Sequence, residues 1–205
     1  MCFVALIHAD LYRRCLCFYP MKVGPPYFLG PLTPEFVEST TPGNVNALSS
    51  SIFFYNFLTG PPTTIGTFTY GYVDVRDVAR ALVAGVEPKV PGNHRLLLGS
   101  LPWFDSADIV THIAAVRPDL KDRLIGSEST GQKRFIVEEE IVKTVEVLGL
   151  GELTPWKKTV EDSLESMLGL EKLWKEKGVE VDEVLGKNTT LDFWNVFAAS
   201  RVDFD

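Results

Sequence analysis

The sequence contains few cysteines, and their positions exclude a disulfide framework. All three, Cys2, Cys15 and Cys17, fall within the first 17 residues, whereas a disulfide-stapled domain spreads an even number along its chain. A zinc site made from Cys15, Cys17 and His8 is disfavoured, because the spacing is atypical and no second ligand pair follows. We therefore expect buried thiols in a reducing, cytoplasmic compartment, and no bound metal.

Basic charge and long apolar runs are also scarce. The chain has 20 Lys and Arg against 27 Asp and Glu, a net charge of −7, whereas a nucleic-acid partner would require a basic face. No stretch approaches the roughly 18 uncharged apolar residues of a membrane helix. The opening is apolar for only seven residues and has no basic n-region, which argues against a signal peptide. We expect neither a nucleic-acid nor a membrane partner.

The 205 residues are 45% apolar and 23% charged, which is ordinary for one globular domain with a small appendage. Residues 1–21 follow no periodic pattern. From there, "KVGPPYFLGPL" (22–32) predicts a short buried strand, opened by Pro25 and Pro26 and closed by Gly30 and Pro31. A polar loop of the kind that carries ligand contacts follows it.

Residues 45–60 predict a helix that places Leu48, Ile52 and Tyr55 in a core. The aromatic run "FFY" within it could stack on a base, but at this spacing it is more typical of core packing. Further on, residues 134–141 alternate in hydrophobicity, which favours a strand or an extended arm.

The segment "YGYVDVRDVARALVAGVEP" predicts a strand that runs directly into a helix. Asp74 is placed to cap the helix, Asp77 to stabilise its first turn and Arg76 to pair locally. An acid-base role for these three side chains is the weaker alternative, although α/β sites do lie where strands end. The apolar residues predict one buried face, made of Val78, Ala79, Leu82, Val83 and Val86.

Two later segments predict amphipathic helices. In the first, Asp105 or Ser106 caps the helix. Its buried stripe is Ile109, Val110 and Ile113. His112 falls on the polar side and is expected to be solvated.

The second, residues 154–178, has Thr154 at the cap, Pro155 in the first turn and Gly178 just past the end. Its predicted apolar face contains Trp156, Val160, Leu164, Met167 or Leu168, and Leu173 or Trp174.

These segments, in this order, resemble the C-terminal half of extended short-chain dehydrogenase/reductases of the NAD-dependent epimerase/dehydratase superfamily. The resemblance is to the dihydroflavonol reductase, cinnamoyl-CoA reductase and fungal aldehyde/ketone reductase group. "GPPYFLGPL" is similar to that group's nP-x-x-v-x-GP segment, and "VDVRDVA" to its most specific strand-to-helix signature. "RLLLGS" with the following helix, and the closing "LGLGELTPWKKTVEDSL", are similar to its small lobe. The likeness covers residues 22–178.

The resemblance implies an α/β fold: the C-terminal portion of a Rossmann-like parallel sheet with a small mixed α/β substrate lobe. Residues 22–94 would be the remnant of the Rossmann-like domain and residues 95–178 the substrate lobe. Residues 1–21 would be an unpatterned segment and residues 179–205 a tail. The N-terminal nucleotide-binding half would be missing, and residues 1–21 would be read-through sequence or the mark of a truncation.

The resemblance also implies site residues. The backbone that faces the nicotinamide maps to Pro26, Tyr27, Phe28 and Leu29. The residues near cofactor phosphate or substrate map to Asn46, Ser49 and Ser50. For both serines, a role as helix-surface hydroxyls is an equal alternative.

The residues that carry the family's chemistry are absent from the sequence. None of the 16 glycines forms G-x-x-G-x-x-G or G-x-G-x-x-G, and none of the six tyrosines is followed by lysine four positions later. The resemblance implies a parent that reduces an aldehyde or ketone with NADP or NAD as cofactor. We therefore predict no catalytic residue in this chain, weak dinucleotide binding and almost no activity alone.

Two alternatives remain open. The chain could be a non-catalytic binding or regulatory module that associates with an intact paralogue and so covers its exposed sheet edges. The parent could also be a nucleotide-sugar epimerase or dehydratase of the same architecture, since a fold does not fix a substrate.

Overall fold

The computed structural model describes residues 22–24, 27–49, 51–59, 71–87, 90, 95–101, 105–124 and 138–179. The strands within them are β1 (Lys22–Gly24), β2 (Tyr27–Leu29), β3 (Tyr72–Asp74) and β4 (Arg95–Leu97). The α-helices are α1 (Pro34–Ser39), α2 (Ser51–Thr59), α3 (Val75–Gly85), α4 (Ser106–Val116), α5 (Glu138–Leu148) and α6 (Trp156–Glu176). Two 3₁₀ turns cover Val45–Leu48 and Pro118–Arg123.

The strands pair only in parallel: β1 with β4 and β2 with β3. Residues after β4 continue beside β3, because the Ser100 N–H donates to the Tyr72 carbonyl at 2.9 Å. Parallel strands joined through helices confirm the predicted α/β class. The short strand predicted between Pro25–Pro26 and Gly30–Pro31 is confirmed as β2, whereas β1, on the other side of the two prolines and in a different ladder, was not predicted. Pro25 and Pro26 separate them in the sequence, and a proline offers no N–H to a ladder.

The β2–β3 ladder lies between two hydrophobic cores. Side chains alternate across a strand, so Tyr72 packs into one core and Val73 into the other. The first core contains residues of β2, α2, α4 and α6. The second contains residues of β1, α3 and the end of α5.

The predicted helix over residues 45–60 is divided. A 3₁₀ turn (Val45–Leu48) precedes α2, and Ser49 between them has a φ of 52°. The predicted core residues Leu48, Ile52 and Tyr55 are buried. Phe54, Phe57 and Leu58 are buried as well, so α2 is covered on more than one face and the core interpretation of its aromatic residues is confirmed for Phe54 and Tyr55.

The predicted junction of β3 and α3 is confirmed, but the predicted buried face of α3 was wrong. The fully buried residues are Asp77 and Ala81, whereas Val83 is 68% exposed and Val86 48% exposed. The apolar residues recur with the predicted helical spacing, but the face that they form is not the face that packs against the core. Tertiary contacts set the orientation of α3. The Thr154 backbone N–H donates to Asp77, and the small side chain of Ala81 lets the helix lie close to the second core.

Helix α4 begins with a capping box, in which Asp105 and Asp108 each accept from the other's backbone N–H at 3.0 Å. Its Ile109 and Ile113 are fully buried, as predicted. The expectation of a solvated His112 was wrong. Its side chain is only 12% exposed, because α6 packs over this side of α4.

Helix α5 corrects another prediction, since residues 138–141, expected to be a strand or an arm, form its first turn. The three glutamates 138–140 favour a helix start, where the dipole is positive. The buried positions Ile141, Thr144 and Leu148 are three and four residues apart, as a helix requires. Residues 134–137 lie outside the described residues.

Helix α6 carries the longest buried stripe. It contains Thr159, Val160, Ser163, Leu164, Met167, Leu170 and Trp174. The helix begins at Trp156, with Pro155 in the cap position and no side-chain cap bond, so the predicted cap at Thr154 was wrong. Gly178 follows its end with a φ of +80°, a conformation that glycine adopts readily.

Candidate functional site

The carboxylate of Asp74, at the end of β3, is completely buried and fully hydrogen-bonded. It accepts from the Arg76 backbone N–H at 2.9 Å and from the Arg76 side chain at 2.8 Å. The Thr159 hydroxyl of α6 donates to it at 2.8 Å. The first of these bonds is the predicted N-cap of α3, and the last joins that cap to α6.

Arg76 connects two helices. Besides its pair with Asp74, its Nη1 donates to the Asp162 carboxylate at 2.6 Å. Lys158 donates to the other oxygen of Asp162 at 3.0 Å. The predicted local pairing of Arg76 is confirmed, and the same guanidinium also fixes α6 against the start of α3.

Both carboxylates of this cluster are stabilised in the ionised form. Burial alone would raise the pKa of Asp74, but hydrogen bonds from Arg76 and Thr159 outweigh burial and hold it below its ordinary value. Burial is likewise outweighed at Asp162, where Lys158 and Arg76 lower the pKa. Groups that stay ionised at neutral pH have no proton to donate, so the cluster is suited to structure rather than to acid catalysis.

The phenol of Tyr72 is suited to a structural role as well. Burial raises its pKa above the ordinary range, and the nearby Asp74 and Asp77 carboxylates raise it further. A tyrosinate is therefore strongly disfavoured here at neutral pH.

Asp77 forms a second connection between α3 and α6. Its buried carboxylate accepts from the Thr154 backbone N–H at 2.7 Å and pairs with Arg80 at 3.1 Å. Arg80 donates in turn to the backbone carbonyls of Leu150 and Glu152. The loop that leads into α6 is thus held against α3.

The residues predicted to face the cofactor form β2, apart from Pro26, which lies outside the described residues. Their register pairs Tyr27 with Tyr72 and Leu29 with Asp74. Leu29 is buried in the first core. Tyr27 and Phe28 are half-buried, so they are the predicted residues that retain surface for a ligand.

The residues predicted near substrate are only partly described. Asn46 lies in the 3₁₀ turn, with its side chain outside the described residues, and Ser50 is outside them altogether. Ser49 is exposed. Its neighbours Val45 and Leu48 pack into the same core as Leu29, which anchors this turn to the core that β2 also contacts.

The starts of α3 and α4 do not fit the pyrophosphate of a dinucleotide. A phosphate needs free backbone N–H groups at a helix start, whereas α3 and α4 are capped by the carboxylates of Asp74 and Asp105. These caps satisfy the donors and add negative charge.

Other ligand classes have little support among the described residues. No group of three His, Cys, Asp or Glu side chains there could hold a metal ion, and the three cysteines lie outside them. None of the described helices has the length and apolar character needed to cross a bilayer.

Sequence reasoning missed the α6 partners of the site. Asp162 lies 86 residues from Arg76, and Thr159 lies 85 from Asp74, so no local pattern could join them. The spacing of Lys158 and Asp162 at i and i+4 does indicate an ion pair on a helix, and it was the one usable signal.

Comparison with known proteins gives structural matches only. No protein-family model matches the sequence, and a search of curated proteins found no significant match. The chain is similar to Gre2 from Candida albicans in complex with NADPH, at 26% identity and a TM-score of 0.59, over 78% of this chain and 47% of that one. It is also similar in fold to the NADPH complex of yeast methylglyoxal/isovaleraldehyde reductase Gre2, at 21% identity and a TM-score of 0.56.

These matches define the class of fold as a Rossmann-like α/β reductase fold. The resemblance to extended short-chain dehydrogenase/reductases that the motifs indicated is thereby confirmed. The chain covers 47% and 51% of the two solved structures, about half of their length.

Proposed function

We propose that this chain is the C-terminal portion of an NAD(P)-dependent oxidoreductase that reduces an aldehyde or a ketone to an alcohol. The observation that carries the proposal is the structural match to NADPH-bound Gre2 from Candida albicans at 26% identity. The described part of the chain has the parallel strand pairing of such a fold, and its "VDVRDVA" junction of β3 and α3 is stabilised by the pair of Asp74 and Arg76.

In this proposal the backbone of β2, at Tyr27 and Phe28, faces the nicotinamide. The carbonyl substrate lies between β2 and the loop that contains Ser49. When bound, the cofactor supplies the hydride. The pyrophosphate donors and the proton donor come from a part of the parent that is absent here, consistent with the carboxylate caps on α3 and α4.

A chimera tests this proposal. The part of Candida albicans Gre2 that precedes the matched region is fused to residues 22–205 of this chain, and NADPH oxidation is followed with methylglyoxal and isovaleraldehyde. We expect turnover by the chimera, and none by the 205-residue protein or by the Gre2 part alone.

A folded, monodisperse chimera that binds NADPH but reduces no aldehyde or ketone in a broad panel would contradict the proposed function. A chimera carrying Asp122→Asn, a change at an exposed position away from β2, serves as the matched control and should keep full activity.

A further inference from the structure

Helix α3 presents an apolar surface to solvent. The exposed residues form one stripe, called here the outer stripe: Val75, Ala79, Leu82, Val83 and Val86. Val75 is 39% exposed and Leu82 36% exposed, and the last two valines are more exposed still. A contiguous apolar stripe of this kind, left uncovered by the described residues, marks a contact surface.

The outer stripe has two flanks: Ala79 and Val83 line a groove with Arg80 and with residues 148–150 at the end of α5, whereas Leu82 lies on the other flank. Ala81 of α3 and Val23 of β1 belong to the same core. Arg80 points towards the residues that follow α5, and α5 packs on β4. Leu82 is two positions further along, about 200° round the helix from Arg80. Leu82 therefore lies on the flank of α3 that faces away from α5, on the side of β1. Among the described strands, β1 pairs with β4 alone.

The segment best placed to cover this surface is residues 1–21, which lead directly into β1. Sixteen of these 21 residues are apolar. Contact between the segment and the outer stripe would therefore remove apolar surface of both from water. The stripe is about 16 Å long at 1.5 Å per residue, a length that 21 residues can span in any conformation.

We propose that residues 1–21 dock on the outer stripe of α3 and cover Leu82, Val83 and Val86. Covalent attachment at β1 gives the segment a high effective concentration, which a free partner lacks. A second copy of the chain is a poorer occupant. Both copies would carry a charge of −7, which disfavours their association.

Disulfide trapping tests the docking directly, because all three native cysteines lie in the proposed segment. Val83→Cys and Val86→Cys are introduced separately into the full chain at outward positions, and each protein is oxidised with diamide. We expect monomers in which the new cysteine is joined to Cys2, Cys15 or Cys17, since a disulfide forms only when the two Cα atoms come within about 7 Å.

The matched control is Val142→Cys on α5, which is 47% exposed. Peptide mass spectrometry should give at least about tenfold more linkage from the stripe positions than from this control. Equal linkage at both positions would overturn the docking. If the disulfides form only between two molecules, the outer stripe is covered by a second copy of the chain and not by residues 1–21 of the same chain.

A second measurement does not depend on thiols. The double variant Val83→Glu with Val86→Glu should release the segment, so that trypsin cleaves after Arg13 and Arg14 about tenfold faster. The single variant Val142→Glu should leave that rate unchanged. Unchanged cleavage in the double variant, with the helical circular dichroism of wild type, would also overturn the proposal.

Discussion

At the scale of single residues, the carboxylate of Asp74 has two tasks. It caps α3 through the Arg76 N–H and holds α6 through the Thr159 hydroxyl. The first task is local and could be predicted from strand-to-helix spacing. The second requires a partner 85 residues away, which only the folded chain supplies.

Replacing Asp74 by alanine should lower the free energy of unfolding by about 2–4 kcal/mol, measured by urea denaturation. Loss of the cap accounts for about 1 kcal/mol, and the remainder comes from Arg76 and Thr159, which lose a buried acceptor. Asp74→Asn should cost less, because asparagine still caps. The exposed Asp122→Ala serves as the control, and an equal loss there would contradict the assignment.

The same carboxylates predict acid sensitivity. The pKa values of Asp74 and Asp162 are lower in the folded chain than the ordinary value of an unfolded aspartate, about 3.9. The unfolded chain therefore takes up protons first as the pH falls. Their stabilisation is complete well above pH 4 and is lost as the pH drops through the lower, folded values.

Thermal unfolding between pH 6 and pH 2 checks this sign. The wild-type melting temperature should fall below about pH 4, and the fall should be smaller in Asp74→Asn. An identical pH profile in the two proteins would show that Asp74 does not contribute.

At the scale of elements, replacing two glycines by alanine should change the free energy of unfolding in opposite directions. Gly30 follows β2 with a φ of +139°, and a Cβ there would lie 2.7 Å from Cγ1 of Val75. Gly169 is within α6, where a Cβ would meet nothing within 4 Å. The first glycine is required by a close approach of β2 to α3, and the second is not required by space.

We expect Gly30→Ala to destabilise the chain by about 1–3 kcal/mol, since it adds both a clash and backbone strain. Gly169→Ala should stabilise it by about 0.5–1 kcal/mol, because alanine loses less entropy in a helix. Both are read from urea midpoints at constant m-value. Equal effects of the two changes would refute the close approach at Gly30.

Helix α3 also shows that an element can have the predicted helical spacing of apolar residues and still turn a different face towards the core. Its apolar residues recur with helical spacing, yet the buried positions are Asp77 and Ala81. A buried charge is tolerated because Thr154 and Arg80 satisfy it. Hydrophobicity alone could not indicate this orientation.

At the scale of the whole molecule, the chain has two cores that meet at the β2–β3 ladder. The chain covers about half of each of its two structural matches. Among the described helices, α3 and α4 begin with carboxylate caps, which do not favour a phosphate at those two positions.

Calorimetry of the whole protein with NADPH should therefore detect no stoichiometric binding at micromolar concentrations, at neutral pH and moderate salt. The missing donors explain the expected weakness, because pyrophosphate recognition relies on free N–H groups at a helix start. The matched control is the Gre2 chimera, which should bind. Tight binding by the 205-residue protein would show that residues outside the described part complete a phosphate site.

The sequence by itself determined the α/β class, the β3–α3 junction with its Asp74 cap, and the absence of a glycine-rich turn and of Y-x-x-x-K. These features depend on neighbours within a few positions, where propensity and capping act. Only the tertiary structure decided that the 22–32 segment is divided between two ladders, that α3 turns Asp77 inward, and that Arg76 reaches Asp162. Such features depend on contacts between residues far apart in the chain, and local patterns do not encode these contacts.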